Sequence, residues 1–144
     1  MNYADLKLFD TVNGPGVRVS LFVSGCTLNC SGCWNNEARN FKYGDEFTQV
    51  ETDKIITALR NSFTEGLSIL GGDPCEPKNI SKVVELCKQV KEKLPNKTIW
   101  VWSGRTEKEL KEDTNLVYQE LLDTIDVLVD GRYRDWETDR KSVV

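Results

Sequence analysis

Three cysteines, Cys26, Cys30 and Cys33, stand in the spacing C-x3-C-x2-C directly after an apolar run, Val17–Val23. Thiolates are metal ligands, and three of them this close together can grip one metal centre from a single loop. A 4Fe–4S cluster normally takes four cysteine ligands. Held by three, it keeps one iron open to bind another molecule, and an open coordination position marks a catalytic rather than a structural site. The spacing alone leaves two other readings. One is a zinc site completed from a distance; the chain has no histidine, so the fourth ligand would be Cys75, Cys87 or a carboxylate. The other is a set of reduced thiols, or half of a disulfide set, without metal.

A second group able to do chemistry is Gly71-Gly72-Asp73-Pro74, which leaves the short apolar run at residues 67–70. Two glycines permit positive φ and let a ligand approach the backbone with no Cβ in the way. Asp73 or the glycine carbonyls can then accept hydrogen bonds from a ligand amine, and Pro74 stiffens the exit. A plain strand-to-helix turn uses the same residue types.

The elements that must position these groups can be read from periodicity. Asn13-Gly14-Pro15-Gly16 is a turn cluster, and Val17–Val23 reads as a strand that delivers the cysteine loop. Residues 41–47 read as a connecting loop. Thr48 with Glu51 fits a capping box, followed by Ile55, Ile56, Leu59 and Phe63 at helical spacing. Residues 67–70, bounded by glycines, read as a buried strand. Asn79 can cap a helix whose apolar face is Val83, Val84, Leu86, Cys87, Val90 and Leu94. Thr98–Trp102 is a strand run ending in Ser103-Gly104, and one of Trp100 and Trp102 is expected to pack inward. Thr106 with Glu109 opens a helix that runs towards Leu121-Leu122, and residues 126–129 form a last strand stopped by Asp130-Gly131. Residues 88–93 read as a solvated helix face.

Strands alternating with helices predict an α/β fold with mainly parallel strands. Four or five strands cannot close an eight-stranded barrel, which takes roughly 200 residues or more. The expectation is a partial, open TIM-barrel-like core. In parallel sheets ligands gather beyond the carboxyl ends of the strands. The cysteine loop, the Gly71 loop, Ser103-Gly104 and Asp130-Gly131 all leave such ends.

The chain has 144 residues, 39% hydrophobic and 29% charged, which suits one soluble globular domain. Residues 1–10 are polar and mixed in charge, unlike a secretory signal, and no apolar run reaches the ~18 residues of a membrane span. Five cysteines are an odd count that favours reduced thiols and metal, and a cytoplasmic location. A net charge of −4 with no long basic stretch argues against nucleic acid as a partner, and the missing apolar span argues against a membrane.

Taken together, the motifs carry a resemblance. "LFVSGCTLNCSGCWN", with Trp34 after the third cysteine, and "LSILGGDP" resemble the radical S-adenosylmethionine family. "VNGPGVR", "IWVWSG" and "DVLVDG" resemble a small branch of it, the glycyl-radical activases of anaerobic ribonucleoside-triphosphate reductase. The similarity covers about residues 2–133. It implies a 4Fe–4S cluster on Cys26, Cys30 and Cys33, with the open iron chelating the amino and carboxylate groups of S-adenosyl-L-methionine. It implies that Gly71, Gly72 and Asp73 take the methionine amino end, that Gly32 and Trp34 touch the cofactor, and that Ser103 and Asp130 are candidates for its carboxylate or ribose. No catalytic side chain beyond the cluster ligands is implied. The reduced cluster would cleave the cofactor to a 5′-deoxyadenosyl radical, which would take a hydrogen atom from a glycine of the reductase large subunit. The electron donor implied is a flavodoxin or ferredoxin. Residues 1–133 are expected to form the single radical domain, with Gly14-Pro15-Gly16 and Arg18 on the docking surface. Residues 134–144 depart from the family pattern. Their last six match one reading frame of a common DNA-sequencing adapter, so the tail is expected not to be native sequence.

Overall fold

The computed structural model describes residues 1–27 and 40–131. Among the described residues six strands form one open sheet: β1 (Asn2–Asp10), β2 (Val17–Val23), β3 (Asp45–Glu46), β4 (Thr64–Gly71), β5 (Thr98–Trp102) and β6 (Val127–Val129). Their order is β3-β1-β2-β4-β5-β6. From β2 to β6 all neighbours are parallel, while β1 pairs antiparallel with both β2 and β3. The helices are α1 (Gln49–Leu59), α2 (Ile80–Lys93), α3 (Glu107–Glu112) and α4 (Val117–Thr124). The fold is therefore mixed α/β with a mostly parallel sheet, as expected, and the sheet is not closed. No helix among the described residues is long and apolar enough to cross a membrane.

Period-two alternation divides the sheet into two faces. Val19, Leu21, Val23, Leu67, Ile69, Ile99, Val101 and Leu128 share one core with Ile55, Leu59, Val83, Leu86, Val90 and Leu121 from the helices. The alternate positions, Arg18, Ser20, Phe22, Ser68, Trp100 and Trp102, belong to the other face by the same alternation. Both tryptophans are thus on one side, with ring centroids 5.6 Å apart, and neither is the inward residue: that place belongs to Ile99 and Val101.

Several local expectations are corrected. β1 went unrecognised because its residues are mostly exposed or half-buried and mixed in charge, as suits a strand near a sheet edge. Residues 45–46, within the expected loop, form β3. Both capping boxes are present, at Thr48/Glu51 and Thr106/Glu109. The second helix they open stops at Glu112, and α4 starts afresh at Val117. Phe63 lies beyond α1 and stacks edge-on against Phe9. Asn79 occupies the N-cap of α2 but makes no capping bond with its side chain. Lys91 is not merely solvated: its ammonium donates to Asp126 at 2.6 Å and to the Lys97 carbonyl at 3.0 Å.

Arg18 is the largest correction. It is fully buried, so it is no part of a docking surface. Its guanidinium runs across β4 to β5 and makes five hydrogen bonds, to Ser68 Oγ, the Pro15, Leu67 and Thr98 carbonyls, and Thr98 Oγ1. Its charge also sits 5.7 Å from the Trp100 ring. Gly66 makes the slot: a Cβ there would stand 2.0 Å from the Thr98 carbonyl oxygen and 2.8 Å from the guanidinium.

Asp10 fixes the turn between β1 and β2. It accepts hydrogen bonds from Ser20 Oγ (2.6 Å), Asn13 Nδ2 (2.8 Å) and the Val12 N–H (3.1 Å). Burial alone would raise its pKa, but these donors outweigh burial and hold it below the ordinary carboxylate value. A lowered native pKa stabilises the fold above the unfolded value, about 3.9, and the contribution fades as pH falls through the native value. Asp10→Asn is therefore expected to cost about 1.5–3 kcal/mol at neutral pH and less at pH values below ~3. Urea unfolding at a series of pH values checks this; an equal cost at every pH would contradict it.

Candidate active site

The loops leaving β2, β4, β5 and β6 are stitched to one another at the carboxyl edge of the sheet. The Gly72 N–H donates to the Val23 carbonyl (2.8 Å), and the Asp73 N–H to the Gly25 carbonyl (2.9 Å). The Ser103 N–H donates to the Val129 carbonyl (3.0 Å), and the Gly131 N–H to the Arg105 carbonyl (3.4 Å). The cysteine loop thus starts directly against the Gly71-Gly72-Asp73-Pro74 loop.

The start of the cysteine loop is held on every side. Ser24 donates through its N–H to the Asn2 carbonyl and through Oγ to the Tyr43 carbonyl. The Ser24 carbonyl accepts from Asn79 Nδ2 at 3.0 Å. This explains the missing cap on α2: the Asn79 amide is spent on the Ser24 and Asp73 carbonyls instead. Gly25 has φ +107°, and a Cβ would lie 2.0 Å from the Phe41 ring, so only glycine fits there. Cys26 follows, half-buried. Thr27 donates through both N–H (2.7 Å) and Oγ1 (2.9 Å) to Glu76 Oε2. Cys30, Gly32, Cys33 and Trp34 lie outside the described residues, as do residues 134–144.

Gly71 has φ +113°, and a Cβ would meet the Val23 carbonyl oxygen at 2.4 Å. Its missing side chain therefore lets β4 close against β2. Asp73 is 1% exposed and already accepts four hydrogen bonds. They come from the Cys75 N–H (2.8 Å), Ser103 Oγ (2.9 Å), the Gly104 N–H (3.0 Å) and Arg105 Nη1 (3.2 Å). Burial pushes its carboxyl above the ordinary value, while these donors and the Arg105 charge pull the other way. Ser103 Oγ also accepts from the Arg105 N–H at 3.0 Å. Asp130 is buried and accepts from the Glu107 N–H at 2.6 Å, at the first turn of α3. Asp73, Ser103 and Asp130 thus come together at one edge, each with its side chain engaged by the protein.

Two residues escaped sequence reasoning, Glu76 and Arg105. Glu76 is 1% exposed. The Arg105 guanidinium spans Asp73 at 3.2 Å and Glu76 at 3.3 Å. Burial works against its charge, but Asp73 and Glu76 outweigh burial and hold its pKa above the ordinary value. Two acids three residues apart, Asp73 and Glu76, were the available signal; that their cation lies some 30 residues on is a fact of chain topology.

Two of the three described cysteines belong to the core. Cys75 and Cys87 are completely buried. Burial raises the Cys75 thiol far above its ordinary pKa, and it pushes Cys87 up to about 12. Among the described cysteines, Cys26 is the half-buried one, just beyond the end of β2.

A family model described as a 4Fe-4S single cluster domain matches residues 12–144. An anaerobic ribonucleoside-triphosphate reductase-activating protein of Vibrio cholerae is 44% identical over 141 residues, 96% of this chain and 88% of that protein. Proteins of the same description from Escherichia coli and Enterobacteria phage T4 are 39% and 38% identical, covering 92% of this chain and 85% and 81% of their own lengths. The chain belongs to the anaerobic ribonucleoside-triphosphate reductase-activating protein family. The cluster-domain match supports an iron–sulfur cofactor for this chain.

Proposed function

We propose that this protein installs a glycyl radical on the large subunit of an anaerobic ribonucleoside-triphosphate reductase, using S-adenosyl-L-methionine bound at a three-cysteine 4Fe–4S cluster. The observation that carries the reading is the junction of the cysteine loop with the glycine loop, through the Asp73 N–H to Gly25 and the Gly72 N–H to Val23. It brings the backbone of the glycine loop against the segment that carries Cys26, which supports reading the two as one site.

Cys26, Cys30 and Cys33 hold the cluster. When bound, the cluster supplies the electron that splits S-adenosyl-L-methionine to methionine and a 5′-deoxyadenosyl radical, which takes a hydrogen atom from a glycine Cα of the reductase. Gly71 and Gly72 meet the methionine amino group through backbone carbonyls. Asp73, with four donors on it already, serves by holding that backbone still. Gly32 and Trp34 flank the last ligand and border the cofactor. Ser103 and Asp130 stand behind its carboxylate and ribose. The sheet is a partial barrel-like core whose carboxyl edge shelters the site, and orientation there is most of what the protein contributes. A flavodoxin or ferredoxin supplies the electron, and the setting is the cytoplasm.

Anaerobic iron and sulfide analysis, with dithionite and S-adenosyl-L-methionine added, tests the reading. About four irons and four sulfides per chain, bleaching on reduction and release of 5′-deoxyadenosine are expected. Zinc in place of iron, or a reduced cluster that leaves S-adenosyl-L-methionine intact, would sink it.

A further inference from the structure

We propose that Glu76 and Arg105 form a latch that positions Cys26: Glu76 holds Thr27, and Arg105 ties Glu76 to Asp73 and the loop after β5. Its bearing on the cluster rests on the reading of Cys26 as a ligand.

The argument starts from the two peptide planes that flank Cys26. Each peptide unit is planar, so pinning one of its polar atoms restrains the whole unit. On one side, the Gly25 carbonyl accepts from the Asp73 N–H at 2.9 Å. On the other, the Thr27 N–H donates to Glu76 Oε2 at 2.7 Å. Both anchors belong to one short segment, Asp73 to Glu76. With both planes held, the direction of the Cys26 Cα–Cβ bond is set, and the sulfur keeps only its χ1 rotation.

Arg105 makes the anchor stiff. Its guanidinium reaches Glu76 Oε2 at 3.3 Å and Asp73 Oδ2 at 3.2 Å, so both acids of the segment share one cation. Its own N–H donates to Ser103 Oγ, which donates to Asp73 Oδ1. Stability is a weak reason for such a cluster, because apolar residues of similar volume often serve a buried site as well. Partners that orient a ligand from behind are a better reason, and their loss typically costs about 10–100-fold in metal affinity.

The test compares Glu76→Ala, Glu76→Gln and Arg105→Met with the parent chain. Two quantities are read: hydrogen exchange at the Thr27 amide in metal-free protein, and iron release to a chelator after anaerobic cluster assembly. Glu76→Ala is expected to speed exchange at Thr27 and to release iron roughly 10–100-fold faster. Glu76→Gln keeps an oxygen acceptor for Thr27 and is expected to recover much of the loss. Thr48→Ala, which breaks the capping box of α1 away from the site, is expected to lower Tm without speeding iron release. Parent-like exchange and iron release in Glu76→Ala would overturn the proposal. So would iron release from Thr48→Ala as fast as from Glu76→Ala. If Glu76→Ala does not fold, Arg105→Met decides: it leaves the acceptor but frees Glu76, and unchanged exchange at Thr27 would refute the latch. A parent chain that takes up no iron would defeat the cluster reading, while exchange at Thr27 would still judge the latch.

Discussion

Cys26→Ala is expected to abolish assembly of the cluster and, with it, cleavage of S-adenosyl-L-methionine, while leaving the fold standing. The residue follows Val17–Val23, a strand buried in the middle of the sheet, and is half-buried itself. Its neighbours hold the loop through their own bonds: Ser24 by Asn2, Tyr43 and Asn79, Gly25 by Asp73, and Thr27 by Glu76. Removing the sulfur leaves all of these bonds in place, so Tm should shift far less than iron content. Two cysteines rather than three would remain to bind the cluster, and cluster binding depends on thiolate count. Cys75→Ala and Cys87→Ala are the counterpart. Both thiols are completely buried, so each change should leave iron content near the parent value and lower stability by about 1 kcal/mol for a small core vacancy. Iron and sulfide per chain, measured beside a thermal melt for all three variants, separates these outcomes. Retention of iron by Cys26→Ala would show that the ligands lie elsewhere.

Arg18→Met is expected to be the most damaging change to the fold. It removes five hydrogen bonds that link the turn before β2 to β4 and β5, and it takes a donor from the buried Ser68 Oγ and from the half-buried Thr98 Oγ1. Ser68 Oγ would still donate to the Asn13 carbonyl and Thr98 Oγ1 to the Glu65 carbonyl, so the loss falls on their acceptor side and on the Leu67, Thr98 and Pro15 carbonyls. An acceptor left without its donor costs about 1–3 kcal/mol, so the total loss should be on the order of 3–5 kcal/mol, a large fraction of a typical domain's ~5–15. Tm should fall by about 10 °C or more. Arg18→Lys should recover little, since one ammonium cannot reach acceptors on two strands and the turn at once. Urea melts of the two variants check this. A loss below about 1 kcal/mol in Arg18→Met would mean that water or a rearranged turn replaces the guanidinium.

Local signals were legible wherever they act over a few residues. The two capping boxes, the cysteine spacing, the glycine loop and the βα alternation each depend on neighbours in the chain, and each was read from residue types alone. The convergence of four loops followed from the parallel order, because strands that run one way deliver their ends to one edge. β1 was not legible, because an exposed strand near a sheet edge lacks the apolar alternation that marks a half-buried one. The stop between α3 and α4 was missed for a similar reason: residues 113–116 carry no glycine or proline.

What the sequence by itself determined is the inventory: three cysteines at C-x3-C-x2-C, a glycine-rich second loop, and parallel elements that deliver Cys26 and that loop to one edge. What only the tertiary structure decided is how the polar side chains around that chemistry are spent. Arg18, assigned to a surface, lies at the centre of the strand network, because Gly66 leaves a channel that no local pattern announces. Asn79, assigned to a helix cap, fastens the cysteine loop. Asp73 faces inward to Ser103, Gly104 and Arg105, and Glu76 reaches Thr27 from 49 residues away. The physical reason is one of range. Backbone periodicity and capping are settled within a turn or two of chain, whereas a buried charge is satisfied by whichever donors the fold brings within about 3 Å, at any separation in sequence.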